Sequence, residues 1–215
     1  MRWGMVIDLT KCVGCYACVL ACKQEHFLPP GIFWGRVLTG ESGTYPAVTK
    51  ELLPVLCNHC QEAPCQQVCP TGATTQREDG VVYVDYNKCM GCRYCVIACP
   101  YQNRSFYSEE KEYFPGKGYT PRELIGRMLY PLQVGTAIKC NFCLERIDRG
   151  LTKGLKPGID REATPACVNA CLTGARVFGD LDDPESEVSR LIRERKGFQL
   201  HPEFGTDPSV YYIRY

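Results

Sequence analysis

The sequence has no excess of charge, no long apolar run and little histidine. A formal net charge of +1 gives no reason to expect nucleic acid or an acidic membrane surface as a partner. No run of about 18 or more apolar residues occurs, so we expect no membrane-spanning helix. The start of the chain lacks the charged, apolar and small-residue parts of a secretory leader, so we expect any export to depend on a partner's signal.

Signatures of a self-sufficient enzyme are also missing. There is neither a P-loop nor the G-x-G-x-x-G fingerprint of a dinucleotide site. His26 and His201 have no metal-like spacing, and no general acid, general base or nucleophile is apparent. A flavin or nicotinamide enzyme is therefore not expected, and the chain is predicted not to be a catalyst.

Cysteine, in contrast, is abundant, with 16 among 215 residues. Disulfides, structural zinc and iron–sulfur clusters are the three explanations to compare. Disulfide frameworks belong to small secreted chains. Zinc takes four ligands that converge on one ion, usually from two separated C-x2-C pairs. The spacing of the cysteines decides between these explanations.

The cysteines form four groups of four, which we call the first to fourth groups. The groups are Cys12, Cys15, Cys18, Cys22; Cys57, Cys60, Cys65, Cys69; Cys89, Cys92, Cys95, Cys99; and Cys140, Cys143, Cys167, Cys171. The first and third read C-x2-C-x2-C-x3-C, and Pro100 completes the bacterial ferredoxin pattern in the third. The spacing favours [4Fe-4S] clusters over zinc and disulfides. Sixteen cysteines fill four clusters completely, which leaves no open iron for a substrate.

An internal repeat relates the groups in pairs. Residues 7–22, IDLTKCVGCYACVLAC, resemble residues 84–99, VDYNKCMGCRYCVIAC, and CNHC at 57–60 resembles CNFC at 140–143. A duplicated two-group unit explains both likenesses. The predicted fold is therefore α+β, with two interlocked bacterial-ferredoxin-like two-cluster modules, long connecting loops and little regular secondary structure.

The repeat also predicts domains and ligand sets. The turn signal at 78–80 and the β-type run at 81–84 predict one contiguous module over 57–99. Residues 1–56 with 100–180 would form the other module, and 181–215 a tail with a helix and a strand. In two-cluster ferredoxins the last cysteine of a run binds the other cluster. The predicted sets are Cys12, Cys15, Cys18, Cys171 (cluster 1); Cys140, Cys143, Cys167, Cys22 (cluster 2); Cys57, Cys60, Cys65, Cys99 (cluster 3); and Cys89, Cys92, Cys95, Cys69 (cluster 4). Spacing alone leaves open the pairing of the first group with the second and the third with the fourth.

The segments between the groups give further expectations. Residues 23–56 and 100–139 are long connections suited to partner docking. Residues 144–166 are interpreted as a basic, glycine-broken loop. In the tail we predict a helix with Asp183 as N-cap, Pro184 in its first turn and Val188, Leu191 and Ile192 on one face, then a strand at 210–213.

Several other residues beside the cysteines have possible roles. A lysine precedes the first cysteine of three groups, and a cation there could favour the reduced cluster; these are Lys11, Lys88 and Lys139. A plain solvated lysine is the alternative. We expect His59 to have a packing role. Tyr16, Tyr94 and Tyr101 are expected to shield clusters from water.

Together with FGDLDDPESEVSRLI at 178–192, the four groups give the chain a family likeness over nearly its whole length. It resembles the four-cluster ferredoxin subunit of molybdopterin oxidoreductases in the dimethyl sulfoxide reductase superfamily, such as the polysulfide, thiosulfate and arsenate reductases of anaerobic respiration. The resemblance favours the pairing of the first group with the fourth and the second with the third. It implies a large catalytic partner with molybdenum or tungsten next to cluster 1. Beyond cluster 4 it implies a quinone-linked membrane subunit or a soluble carrier.

The resemblance also implies co-export to the periplasm on a partner's twin-arginine signal, with the cytoplasm as the alternative. Two departures, the long gap from Cys143 to Cys167 and an apparent insertion at 107–137, prevent transfer of a relative's substrate. The alternative function is a cluster-carrying subunit of a cytoplasmic hydroxylase, transhydroxylase or acyl-CoA-oxidising complex.

Overall fold

A computed structural model describes residues 1–214, in which nine strands and seven helices alternate with loops. The strands are β1 (Trp3–Asp8), β2 (Gly35–Thr44), β3 (Ala47–Leu56), β4 (Thr74–Gln76), β5 (Val82–Val84), β6 (Ser105–Tyr107), β7 (Thr136–Ile138), β8 (Arg176–Asp180) and β9 (Val210–Ile213). The helices are α1 (Ala17–Glu25), α2 (Pro64–Gln67), α3 (Tyr94–Ile97), α4 (Pro121–Leu129), α5 (Leu144–Thr152), α6 (Ala166–Asn169) and α7 (Glu187–Glu194). This is the expected mixed α+β chain with little regular structure.

A three-stranded sheet in the order β8-β1-β9 joins distant parts of the chain. All six residues of β1 are buried, because its two edges are paired and both of its faces are covered. Met5 lies opposite Phe178 on antiparallel β8 and opposite Val210 on parallel β9. The strand before the first cysteine group is thus held by the strand after the fourth group.

The internal repeat of the sequence is visible in the backbone. Strand β8 follows the fourth group and pairs with β1 before the first, and β4 follows the second group and pairs with β5 before the third. The amide of Asp8 donates to the carbonyl of Ala175 at 2.7 Å, and the amide of Asp85 donates to that of Ala73 at 2.8 Å. The two strand pairs therefore hold the first group beside the fourth and the second beside the third.

Two connections contain more regular structure than the sequence suggested. Segment 23–56 is not a plain loop, since β2 and β3, of ten residues each, form an antiparallel hairpin from Gly35↔Leu56 to Thr44↔Ala47. Glycines and a proline within its strands resemble a loop in composition, and most of its outer half is exposed. Segment 100–139 contains α4, which begins with a capping box between Thr120 and Glu123.

The interpretation of 144–166 as a loop was wrong over its first part, because α5 occupies Leu144–Thr152. Leu144, Ile147 and Gly150 form its buried face. A Cβ at Gly150 would stand 2.3 Å from that of Ala163, so this glycine allows helix and loop to approach closely. The glycine that looked like a helix breaker is a packing position.

The C-terminal helix exists but begins later than predicted. Ser186, not Asp183, is the N-cap, and its hydroxyl accepts the amide of Ser189 at 3.2 Å. Asp183 and Pro184 precede the helix, since the Asp183 side chain accepts the amide of Glu185 in a local turn.

The apolar face predicted for this helix is confirmed. Val188, Leu191 and Ile192 pack in one cluster with Val6 and Ile213. The predicted strand at 210–213 is confirmed as β9. Tyr215, the last residue of the predicted tail, lies outside the described residues.

Within residues 1–214, no helix is both long and apolar enough to cross a membrane.

Candidate metal centres

All sixteen cysteines lie within the described residues as free thiols. Seven of them are buried, namely Cys22, Cys60, Cys65, Cys95, Cys140, Cys143 and Cys167. Burial raises the pKa of several of these thiols, to about 12 at Cys60 and at Cys140, with neighbouring thiols contributing further. Buried cysteine sulfurs are soft ligands, which suit zinc and iron–sulfur clusters and not hard cations.

The four groups share one backbone conformation. The residue before the second cysteine of each group has a positive φ: 66° at Gly14, 44° at His59, 77° at Gly91 and 57° at Phe142. Only two of these are glycine, so in the other two groups a bulky residue is held in the left-handed region. The same tight loop thus begins each group, which matches the sequence repeat.

The last cysteines of the second and fourth groups also have matching surroundings. The amide of Thr74 donates to Sγ of Cys69 at 3.4 Å, and the amide of Ala175 donates to Sγ of Cys171 at 3.2 Å. Hydrogen bonds of this kind stabilise a thiolate and tune a cluster bound to it.

Cysteines of the first and fourth groups meet in two places. Cys12, Cys15 and Cys18 line one small cavity together with Cys171. Cys22 lies among Cys140, Cys143 and Cys167: burial raises the pKa of Cys143, and its neighbours Cys167, Cys22 and Cys140 raise it further. Helices α1 and α6, which carry cysteines of these two groups, pack against each other.

The second and third groups meet in a similar way. Burial raises the pKa of Cys60, and Cys57, Cys65 and Cys99 contribute to the rise. Helices α2 and α3 pack against each other and end two residues before Cys69 and Cys99. Cys89 and Cys95 pack in one cluster of side chains with Cys60 and Cys65. The described contacts give no direct link between Cys69 and the thiols of the third group.

The donor set is chemically suited to iron–sulfur clusters. Among residues 1–214, no three His, Cys, Asp or Glu side chains converge closely enough to hold a single metal ion. A cluster does not require such convergence, because each of its irons takes one thiolate. Sixteen cysteines in groups of four, seven of them buried and two of them accepting backbone amides, fit [4Fe-4S] clusters.

Three buried cations lie among the cysteines: Arg104, Lys139 and Arg176, which are 7%, 3% and 5% exposed. Lys139 was singled out in the sequence, whereas the two arginines were not. Lys11 and Lys88, which share its place before a cysteine, are largely exposed and face Asp8 and Asp85 at 3.9 and 3.6 Å. Of the three lysines, Lys139 is buried among the cysteines, whereas Lys11 and Lys88 have the surroundings of a plain solvated lysine.

Two buried histidines have different surroundings. His26, to which sequence analysis gave no role, has Nε2 3.3 Å from Sγ of Cys143, and burial lowers its pKa to about 3, with a smaller effect of Arg146. His59 has the packing role that we expected: its ring stacks on Phe142 at 3.7 Å, and its Nδ1 accepts the amide of Val82. A neutral His26 can donate to the sulfur of Cys143.

Apolar side chains surround two of the cysteine groups at the surface. Val13 and Leu172 are exposed beside the cavity of the first group, and Met90 and Ile97 are exposed beside the third. Exposed apolar residues of this size mark candidate contact surfaces. Tyr16 and Tyr94 are also exposed. Tyr101 is half-buried, and its hydroxyl lies 2.6 Å from that of Thr206.

Comparisons with known proteins agree with these observations. A family model for a 4Fe-4S dicluster domain matches residues 48–128, and one for a 4Fe-4S binding domain matches residues 3–24. The chain is 46% identical to a protein of Halobacterium salinarum that carries the provisional name of a dimethyl sulfoxide reductase iron-sulfur subunit, over 99% of this chain and 79% of that protein.

Two further relatives align over almost the whole of this chain. It is 42% identical to the arsenate respiratory reductase iron-sulfur subunit ArrB of Shewanella sp., over 100% of this chain and 97% of that protein. It is 41% identical to a subunit of the selenate reductase of Mesobacillus selenatarsenatis, over 99% of this chain and 72% of that protein. With its repeated cysteine loops and its buried thiols, the chain belongs to the iron–sulfur subunit family of dimethyl sulfoxide reductase-type oxidoreductases.

Proposed function

We propose that this chain holds four [4Fe-4S] clusters and relays single electrons through them between a large molybdopterin subunit, with molybdenum or tungsten, and a quinone-linked membrane subunit or soluble carrier. The observation that carries the proposal is the paired arrangement of sixteen free thiols, in which the strand pairs β1–β8 and β4–β5 bring the four groups together two by two. The chain would act as an electron-transfer subunit and not as a catalyst.

The proposed ligand sets are those predicted from the repeat. The cavity lined by the first three cysteines of the first group and by Cys171 supports cluster 1. Cluster 2 is supported by Cys22 and Cys143, since burial raises the pKa of both and Cys140 and Cys167 raise it further. Cluster 3 is supported in the same way, because burial raises the pKa of both Cys60 and Cys65, and Cys57 and Cys99 raise it further. Cluster 4, with Cys89, Cys92, Cys95 and Cys69, rests on the symmetry of the repeat and on the packing of α2 against α3.

When bound, a [4Fe-4S] cluster supplies one-electron oxidation and reduction. The residues of this chain bind the irons, exclude water and set the charge around the sulfurs. The amides of Thr74 and Ala175 donate to ligand sulfurs, and His26 can donate to a third. Each of these donors stabilises the more negative, reduced state.

Electrons would enter and leave at the two exposed apolar surfaces. The surface with Val13 and Leu172 adjoins the proposed cluster 1, and that with Met90 and Ile97 adjoins the proposed cluster 4. We assign the first to the molybdopterin subunit and the second to the membrane subunit or carrier. The proposal includes transport of the chain to the periplasm with its partner; a tagged chain found only in the cytoplasm would remove this part.

Elemental analysis of the tagged complex, isolated without air from its native source, tests the proposal. We expect about sixteen irons for this chain, in addition to those of the partner, together with molybdenum or tungsten. Zinc in place of iron would refute the iron–sulfur assignment. Iron without either heavy metal would retain the relay and remove the molybdopterin partner.

Paired cysteine substitutions test the ligand sets. Cys22 and Cys143 share a cluster in the proposed sets, so Cys22→Ala with Cys143→Ala removes two ligands from one cluster and leaves three electron paramagnetic resonance signals unchanged. The matched control is Cys22→Ala with Cys57→Ala, which touches two clusters. If the control changed one signal and the first pair changed two, the first group would pair with the second instead.

A further inference from the structure

Three buried cations lack the partners that buried charges normally require. Within residues 1–214, no carboxylate forms an ion pair with Arg104, Lys139 or Arg176. A buried charge without a counter-charge is strongly destabilising. The folded chain therefore needs negative charge beside each of them, and the nearby cysteine sulfurs are its available source.

Arg176 stands between sulfurs of the proposed clusters 1 and 2. Its Nη1 lies 3.9 Å from Sγ of Cys167 and 3.5 Å from Sδ of Met5. Its side chain also lines the cavity of Cys12, Cys15, Cys18 and Cys171. Burial acts against its charge, but Cys167, Cys18 and Cys171 raise the pKa of Arg176.

Arg104 has the corresponding place in the other half of the repeat, although it comes from a different sequence position. Thr74 follows Ala73 as Arg176 follows Ala175, and Nη1 of Arg104 donates to the hydroxyl of Thr74 at 3.1 Å. The amide of Thr74 in turn donates to Sγ of Cys69, a proposed ligand of cluster 4.

Two of the three sulfurs near Arg104 have counterparts near Arg176. Burial acts against its charge, but Cys65, Cys95 and Cys57 raise the pKa of Arg104. Cys65 corresponds to Cys167, and Cys95 to Cys18, in the repeat. Arg104 thus lies between the proposed clusters 3 and 4, as Arg176 lies between 1 and 2. Its Nε and Nη2 donate to no oxygen or nitrogen in the described part of the chain, so they are available to a cluster sulfur.

Lys139 lies between the two halves. Its Nζ donates to the carbonyl of Cys140 at 2.7 Å and to the carbonyl of Val82. Val82 packs with Cys60 and Cys65, so the ammonium group lies between the proposed clusters 2 and 3. Burial raises the pKa of Cys65 and of Cys140, and Lys139 lowers both, which agrees with its position between them.

We infer that each junction of the relay contains one buried cation shared by the two flanking clusters: Arg176 for clusters 1 and 2, Lys139 for clusters 2 and 3, and Arg104 for clusters 3 and 4. This inference rests on the proposed function and its ligand sets. Each cation stabilises whichever neighbour holds the extra electron, since added negative charge on either side meets the same positive group in a medium of low dielectric constant.

The shared cations have a consequence for electron transfer. One electron leaves one cluster and reduces the next, so the donor is oxidised as the acceptor is reduced. A cation beside only one of the two clusters would raise the reduction potential of that cluster alone and would oppose electron transfer away from it. A shared cation raises both potentials and keeps the step reversible.

Redox titration of the anaerobically purified complex, followed by electron paramagnetic resonance, tests the inference. The variants are Arg176→Met, Lys139→Met and Arg104→Met, which keep most of the side-chain length and remove the charge. For each variant we expect the reduction equilibrium constants of the two flanking clusters to fall at least tenfold, or 59 mV for one electron, while the other two stay unchanged. Cysteine pairs taken from each proposed ligand set, such as Cys22 with Cys143 for cluster 2, assign each signal to its cluster.

Conservative variants and controls make the result decisive. Arg176→Lys, Lys139→Arg and Arg104→Lys keep the charge. In each of them, both flanking reduction potentials should change by less than half as much as in the corresponding methionine variant. Lys88→Met removes an exposed lysine beside the third group and should change no potential. If a methionine variant lost a cluster, the conservative variant would supply the comparison.

Three results would overturn the inference: a shift confined to one cluster, no shift at all, or an equal shift in Lys88→Met. A conservative variant that lowered both potentials as far as methionine would also overturn it. Failure of the proposed function is a separate outcome, because it would show as missing iron or missing signals in the unmodified complex.

Discussion

Gly91→Ala and Gly14→Ala test the same position in two repeated cysteine loops. Both glycines precede the second cysteine of their groups, with φ of 77° and 66°. An alanine in this left-handed conformation costs about 1–2 kcal/mol. The surroundings differ: a Cβ at Gly91 would lie 2.4 Å from the carbonyl oxygen of Gly135, and one at Gly14 would lie 3.0 Å from the methyl groups of Leu52.

The difference in neighbours decides the difference in magnitude. Leu52 is partly exposed, and its side chain can turn away. The backbone of Gly135 cannot move as easily, because its amide donates to the carbonyl of Tyr107 at 2.7 Å just before β7. Overpacking against a fixed group adds about 1–3 kcal/mol. We therefore expect a total of about 1–2 kcal/mol for Gly14→Ala and about 2–5 kcal/mol for Gly91→Ala.

The rate of iron release to a chelator, measured without air on the cluster-loaded protein, reports this difference. Metal binding is coupled to folding, and a difference of about 1.4 kcal/mol is a factor of ten. Relative to the unmodified protein, we expect Gly91→Ala to speed iron release from the third group's cluster at least several times more than Gly14→Ala speeds release from the first group's. Equal increases, or a larger increase in Gly14→Ala, would refute the reasoning from the Gly135 carbonyl.

Two further substitutions test the packing of the helices. Gly150→Ala would place a methyl group on the Cβ of Ala163, so we expect the free energy of unfolding to fall by about 1–3 kcal/mol in denaturant titration. The control Gly40→Ala, with nothing within 4 Å of the new Cβ, should change it little. An unchanged stability of Gly150→Ala would contradict the close approach. Thr120→Ala removes the capping box with Glu123 and should destabilise α4 by about 1 kcal/mol. Amide hydrogen exchange in 121–129 should therefore be faster. Unchanged exchange there would show that the cap contributes nothing.

The sequence predicts the parts of the site that chemistry alone constrains. Cluster ligation needs cysteine at fixed short spacing, so the four groups and their repeat could be identified without a structure. The apolar face of α7 was also readable, because Val188, Leu191 and Ile192 repeat with helical spacing. The start of that helix was not, since Asp183 and Ser186 are both good caps and only the local turn selects Ser186.

The buried cations show where prediction from sequence fails. Lys11, Lys88 and Lys139 share one local pattern, but Lys11 and Lys88 stay exposed beside aspartates while Lys139 is carried into the core by β7. Arg104 and Arg176 have no distinguishing pattern at all. Whether a lone arginine is buried depends on contacts between segments distant in sequence, and these exist only in the folded chain. The hairpin β2–β3 was missed for the opposite reason, since its glycines and proline imitate a loop.

The sheet β8-β1-β9 sets an order for assembly during protein synthesis. Its central strand, β1, is made before the other two. Its partners β8 and β9 begin only at Arg176 and Val210 and are made late. The second and third groups, in contrast, lie within residues 57–99 and are joined by a short hairpin. Contacts between distant segments form late and slowly. With the proposed ligand sets, the thiols of the first group therefore have to stay reduced and unoccupied until Cys171 has been made, whereas clusters 3 and 4 can form once residue 99 has been made.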